Sequence, residues 1–199
     1  VCKRLYPKNL DGEIDMSVNP EQEVYELIYA DDAYSYYGKS NHGHKALKSI
    51  VALKPLSLLD VGCGHNAFVQ EIKNLGIEKA IGVDFACKSA DKIADILDLP
   101  FTDKEFDFLT AWDVLEHLLP DQIDLALLEM QRVSNRFAFT IAYDYASTPP
   151  PKKFSGHNLH QTVKEPEWWK EKIEKYNVSP YGPNATDTIS FRDSGSFFE

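Results

Sequence analysis

The stretch Leu59-Asp60-Val61-Gly62-Cys63-Gly64-His65-Asn66-Ala67 constrains this chain more than any other. Leu56 to Val61 reads as a short buried strand. Gly62 and Gly64 break it, and Phe68, Val69, Ile72 and Leu75 then recur at helical spacing. A strand that turns through glycines into a helix opens a parallel βα unit. Gly62 permits a tight turn, and Gly64 lets the backbone approach a ligand where a Cβ would clash. The N–H groups at the helix start favour a bound anion.

Two cofactor classes fit this turn. A nicotinamide dinucleotide wants a third Gly or Ala, and Ala67 stands there. The alternative is S-adenosylmethionine. Leu59-Asp60-Val61-Gly62-Cys63-Gly64 resembles motif I of the class I S-adenosylmethionine-dependent methyltransferases. The resemblance implies that Asp60 lies near the methionine amino group and that Gly62, Cys63 and Gly64 line the cofactor. Asn66 replaces the family's usual third glycine, and Asn tolerates a left-handed backbone better than most residues.

Lys79 to Val83 reads as the second strand, ended by Asp84. An acid at a strand end about 20 residues past the loop suits a ribose diol, since a carboxylate accepts both hydroxyl protons. Gly82-Val83-Asp84 also resembles the family's ribose-binding motif, with Phe85 beside it. Ala94-Asp95-Ile96-Leu97-Asp98-Leu99-Pro100-Phe101 resembles the segment that reads adenine. That likeness implies Asp95 at the exocyclic amine and the Ile96 N–H at a ring nitrogen. A dehydrogenase gives no comparable reason for this run. Phe106 to Trp112 reads as the fourth strand, with Trp112 at the cofactor, and Phe137 to Ala142 as the fifth. Ser134-Asn135-Arg136 stands where the family usually has Lys-Pro-Gly-Gly. The fold expected is α/β: a Rossmann-like, doubly wound, mostly parallel sheet of about seven strands, with helices on both faces and an N-terminal helical cap.

One domain over residues 1–199 is expected, with an arm and cap over 1–45 and a substrate-covering insertion over 143–176. Pro20-Glu21-Gln22-Glu23 looks like a helix start, and Val24, Tyr25, Leu27 and Ile28 supply its apolar side. Tyr29, Tyr34, Tyr36 and Tyr37 either pack that helix on the core or form a lid. Gly43 to Leu53 reads as the helix before the first strand, where Lys39, His42, His44 and Lys45 are candidates for the cofactor carboxylate or the substrate. Asp121 to Arg132 reads as a helix with Ile123, Leu127, Leu128 and Met130 on its apolar side. Pro149 to Pro151 keep regular structure out of the loop that follows. Val163 to Lys175 is helical in pattern, and Trp168 and Trp169 would stack on a sugar or ring, or pack in the core. Val178 to Tyr181 and Thr188 to Phe191 are the candidates for the last strands.

Methyl transfer needs an aligned nucleophile and, where its proton is held tightly, a base or metal. His117 is the candidate general base, because its ordinary pKa near 6.5 leaves a neutral form at working pH. Glu116 would orient it or act on substrate. Asp113-Val114-Leu115-Glu116-His117 also resembles the Glu-x-x-Glu-His metal motif of ubiquinone-pathway O-methyltransferases and small-RNA 2'-O-methyltransferases. With His160 folded back, Asp113, Glu116 and His117 would hold a divalent ion, and His157 competes for the last place. Base chemistry without a metal is the favoured version, because Asp113 is one carbon shorter than the family's Glu.

The 21 basic and 31 acidic residues leave a net charge of −10, which argues against an extended nucleic-acid surface. Three cysteines without CxxC spacing fit a reducing cytoplasm, and no apolar run reaches membrane-spanning length. The expectation is therefore a cytoplasmic O-methyltransferase. Its acceptor would be a small molecule, a sugar or a glycan-precursor hydroxyl, and a homodimer is an option. An N-methyltransferase, a metal-assisted O-methyltransferase, a nicotinamide oxidoreductase and a catalytically degenerate cofactor-binding partner protein are the alternatives.

Overall fold

The computed structural model describes residues 21–37, 42–146, 148–176 and 188–192. Six parallel strands form one sheet: β1 (Ser57–Val61), β2 (Lys79–Asp84), β3 (Lys92–Ile93), β4 (Phe108–Trp112), β5 (Phe137–Ala142) and β6 (Thr188–Arg192), in the order β3-β2-β1-β4-β5-β6. About seven strands are expected of such a sheet; six lie within the described residues, and the edge strand β3 has only two residues. The Val178–Tyr181 candidate lies outside the described residues. Among the described residues, five α-helices accompany the sheet: α1 (Gln22–Ala30), α2 (Leu47–Ala52), α3 (Ala67–Asn74), α4 (Ile123–Val133) and α5 (Pro166–Lys175).

The central strands β1, β4 and β5 are buried on both faces, so their successive side chains feed two separate cores. Leu58 and Phe108 point to one side and pack with Leu47 and Ile50 of α2 and Phe68, Val69 and Ile72 of α3. Their neighbours Leu59 and Leu109 point to the other side, against Ile123, Leu127 and Met130 of α4 and Trp169 and Ile173 of α5. Leu56, expected inside β1, is 84% exposed and precedes it. Leu128, expected on the buried side of α4, is 46% exposed, because the helix turns Ala126, Leu127 and Met130 inward instead. Trp169 is fully buried and Trp168 packs beside it, ring centroids 5.0 Å apart. This pair serves packing. Removing such a buried indole typically costs about 3–5 kcal/mol.

A third cluster sits above the sheet. Val24, Tyr25 and Ile28 of α1 pack with Ala86 after β2 and Leu159 of the late loop, with Tyr29, Tyr34, Tyr37, Phe85 and Phe154 around them. Glu21 pairs with His157 at 3.0 Å and Glu23 with Lys153, so α1 and the late loop hold each other. Only a 3₁₀ turn, Lys152–Phe154, interrupts that loop after its prolines. No helix among the described residues is long and apolar enough to cross a membrane.

Candidate active site

The carboxyl ends of β1, β2 and β4 carry the residues singled out by the sequence. Parallel sheets of this kind bind ligands there. The loop after β1 runs through Gly62 (φ 69°), Gly64 (φ 52°) and Asn66 (φ 65°), all left-handed. Asn66 holds the backbone shape that a glycine usually supplies, directly before α3. Gly62 is also sterically required, because a Cβ there would lie 2.5 Å from Val114 Cγ2. Gly82 has a second role in the fold. A Cβ on it would lie 2.1 Å from Asn66 Oδ1 and 2.8 Å from Cys63 Sγ, so the loop can settle only over a glycine in β2.

Asp60 and Thr110 face each other in register across β1 and β4, and the Thr110 hydroxyl donates to Asp60 Oδ1 at 2.7 Å. Asp60 is 1% exposed. Burial pushes its carboxyl from 3.8 up to about 7; the Thr110 hydrogen bond opposes the rise and the Asp84 charge adds to it. A buried acid with a threonine hydroxyl beside it is suited to receive a cation, and an ammonium group at this strand end would supply one. Cys63 donates its N–H to the Val83 carbonyl at 3.0 Å, and burial pushes its thiol well up. Cys63 therefore packs the loop and is not poised as a nucleophile.

Asp84 ties the loop to β2. Its Oδ2 accepts from Gly64 N–H at 3.1 Å and from the Tyr29 hydroxyl at 3.3 Å. Its Oδ1 accepts from Ala86 N–H at 2.9 Å and Cys87 N–H at 2.8 Å. Phe85 is half-buried, with its ring 5.1 Å from that of Tyr25. Asp95 Oδ1 accepts from Leu97 N–H at 3.0 Å, and Ile96 is buried in the core. Arg132 pins the segment that follows, donating to the Leu99 and Phe101 carbonyls and to Glu129. Trp112 packs edge-on against Phe68, ring centroids 5.3 Å apart, and its buried indole N–H has no acceptor among the described residues. His44 pairs with Glu71 on the surface.

Beyond β4 the chain turns at Asp113 (φ 55°) into the 3₁₀ turn Leu115–His117. His117 Nδ1 lies 2.9 Å from the Leu159 carbonyl and 2.6 Å from the Tyr25 hydroxyl. A carbonyl only accepts, which assigns the proton to Nδ1 and makes Nε2 the basic nitrogen of the ring. Tyr25 in turn hydrogen-bonds Tyr37, and burial raises both phenols well above their ordinary range. Glu116 is fully buried. Its Oε1 accepts from Ala142 N–H at 3.0 Å, and its backbone carbonyl accepts from Gln161 and Thr162. Leu159 and Tyr25 hold His117 Nδ1, and Glu116 stands beside the ring with its Oε1 on the Ala142 N–H.

Glu116, His117 and His160 each place a ligand atom within 4.8 Å of the others, and the two imidazole rings meet edge-on at 4.9 Å. A carboxylate and two imidazoles are a donor set that fits a divalent ion. His160 Nδ1 also faces a carbonyl, that of Asp144. Asp113 is not in this group. Its positive-φ turn sends the side chain to Thr140, whose hydroxyl donates to Asp113 Oδ1 at 2.8 Å. His157 is drawn off to Glu21. The sequence reading did not single out Tyr25, Thr110 or the Leu159 carbonyl. The spacing of Tyr25 and Tyr29, one helical turn apart, is the signal in the sequence by which the first could be found.

Residues 59–137 match the family model described as "Methyltransferase domain". No curated protein matches the chain. Among solved structures, the chain resembles a putative methyltransferase in complex with the Haloferax volcanii Trm112 methyltransferase activator, at 16% identity and TM-score 0.53, covering 80% of this chain and 76% of that one. It also resembles the Burkholderia thailandensis 1,6-didemethyltoxoflavin-N1-methyltransferase with bound S-adenosylhomocysteine (18% identity, TM-score 0.49, covering 82% and 81%). A third match is the PH0226 protein from Pyrococcus horikoshii OT3 (20% identity, TM-score 0.39, covering 49% and 56%). The chain spans only 56%, 55% and 62% of the length of three of the matched structures. The first of these likenesses speaks to the fold, and the domain match runs from Leu59 in β1 to Phe137 at the start of β5, so this stretch of the chain is similar to a methyltransferase domain.

Proposed function

We propose that the chain transfers a methyl group from S-adenosylmethionine to a hydroxyl of a small molecule, sugar or glycan precursor, in the cytoplasm. The observation that carries this reading is the single helix α1, which touches both halves of the site. Tyr29 reaches Asp84 at the cofactor half, and Tyr25 reaches His117 at the acceptor half. The cofactor, when bound, supplies an electrophilic methyl on a sulfonium and leaves as a neutral thioether. Asp60 would hold its ammonium, Asp84 its ribose hydroxyls, and Asp95 and the Ile96 N–H its adenine, with Phe85, Trp112 and the Gly62-Cys63-Gly64 loop completing the site. His117 holds the acceptor hydroxyl and takes its proton on Nε2 as the oxygen–carbon bond forms. The resulting imidazolium keeps its Nδ1–H on Leu159.

Isothermal titration should give saturable binding of S-adenosylhomocysteine and none of NAD. After a screen of catechols, sugar nucleotides and glycans for an acceptor, His117→Gln should lower turnover by about 10²–10⁴-fold with little change in S-adenosylhomocysteine affinity. Turnover equal to that of the parent protein would remove His117 from the chemistry.

The clustering of Glu116, His117 and His160 favours a second reading, in which these three hold a divalent ion. The ion would lower the pKa of an acceptor hydroxyl. Chelation decides between the two: base chemistry survives it. Activity that vanishes with chelator, returns with magnesium, manganese or zinc, and is absent from folded His160→Ala selects the metal.

A further inference from the structure

A carboxylate offers about four acceptor sites. At Asp84, protein donors take all of them: the Gly64, Ala86 and Cys87 N–H groups and the Tyr29 hydroxyl. A ribose diol bound there must displace one or more of these donors. Three of them are backbone groups that cannot leave without unfolding the turn after β2 or the loop after β1. That loop is wedged between Gly82 and Val114. The fourth, Tyr29, makes the longest of the four bonds at 3.3 Å and stands on a separate element, α1. Its ring also covers the glycine loop, 5.5 Å from the His65 ring centroid.

We propose that Tyr29 is the gate of the cofactor site: its hydroxyl holds the Asp84 oxygen that the cofactor ribose must take, so α1 has to withdraw before the cofactor can enter. This rests on the reading of Asp84 as the ribose acceptor. Withdrawal of α1 also parts His117 from the hydroxyl of Tyr25, which stands one helical turn before Tyr29 on α1. Cofactor entry and the hydrogen-bonding of the proposed base are thereby coupled through one rigid element. Among the described residues, α1 must also loosen Glu21 from His157, Glu23 from Lys153, and its packing with Phe85, Ala86, Phe154 and Leu159.

The test is Tyr29→Phe, which keeps the ring against Tyr37 and His65 and removes only the hydroxyl. Isothermal titration with S-adenosylhomocysteine should show binding about tenfold tighter than in the parent protein, the size expected from losing one competing hydrogen bond to a charged group. Stopped-flow fluorescence should place the gain in the association rate, since a gate acts before the ligand is seated. Tyr36→Phe, at a ring 55% exposed, should leave both quantities unchanged. Equal or weaker binding by Tyr29→Phe, with saturable binding in both proteins, overturns the gate and leaves the cofactor reading standing. A gain found only in the dissociation rate overturns it too. No saturable binding in either protein overturns the cofactor reading, and the gate with it.

Discussion

Replacing Asp60 by Asn isolates the cost of keeping a carboxylate beneath the glycine loop. The side chain is 1% exposed, and its folded-state pKa stands at about 7 against 3.8 for the free group. A raised carboxyl pKa means that the folded state favours the protonated form. Below about pH 4 both folded and unfolded chains hold the proton, and burial carries no ionisation penalty. As pH rises, the unfolded chain ionises first, and stability falls until the folded carboxyl also ionises near pH 7. The gap of about 3 pKa units corresponds to about 4 kcal/mol across that window. Asn keeps an oxygen to accept from Thr110 and has nothing to ionise. Urea denaturation of both proteins at pH 4.5, 6 and 8 should therefore show the stability difference moving in favour of Asp60→Asn by several kcal/mol. Other titrating groups cancel in that difference. The same substitution should weaken S-adenosylhomocysteine binding, because a neutral amide cannot pair with its ammonium. For the parent protein, binding near pH 6 should release protons, seen as a buffer-dependent heat. A stability difference flat from pH 4.5 to 8 would refute the argument that burial holds Asp60 in its acid form.

Asp84→Ala leaves the Gly64, Ala86 and Cys87 N–H groups without their acceptor. With water filling part of the gap, it should cost about 3–5 kcal/mol in urea unfolding, and a loss under 1 kcal/mol would show that the turn does not depend on it. Asn66→Ala should destabilise by about 1–2 kcal/mol because of its left-handed backbone, while Asn66→Gly should stay near the parent value; equal melting temperatures for the two would contradict this. Gly82→Ala should fail to yield the native near-ultraviolet circular dichroism, since its methyl has to displace Asn66 and Cys63 together.

Much of the scaffold was legible locally. A short buried run, two glycines and a 3.6-residue period place β1, its loop and α3 without reference to distant chain, and Phe137–Ala142 is an apolar run of strand length. The left-handed tolerance of Asn66 is likewise a property of the residue itself. The candidate site divides differently. Its strand-end acids follow from position at the end of an apolar run, so Asp60 and Asp84 could be named in advance. Their partners could not. Whether Asp113 joins Glu116 and His117 turns on one positive φ that aims it at Thr140, a residue of another strand. Whether His160 or His157 reaches the cluster turns on the path of a proline-broken loop and on Glu21 of α1. Tyr25 reads as part of the apolar side of a helix and Tyr29 as core packing or a lid, and only the docking of that helix sets one hydroxyl on His117 and the other on Asp84. Sequence by itself determined the sheet, the loop and the chemical character of the strand ends, because those depend on backbone sterics and short-range periodicity. Tertiary structure alone decided which hydroxyl, imidazole and carboxylate meet, because that depends on how separate elements pack, and a local pattern carries no record of a neighbour more than a hundred residues away.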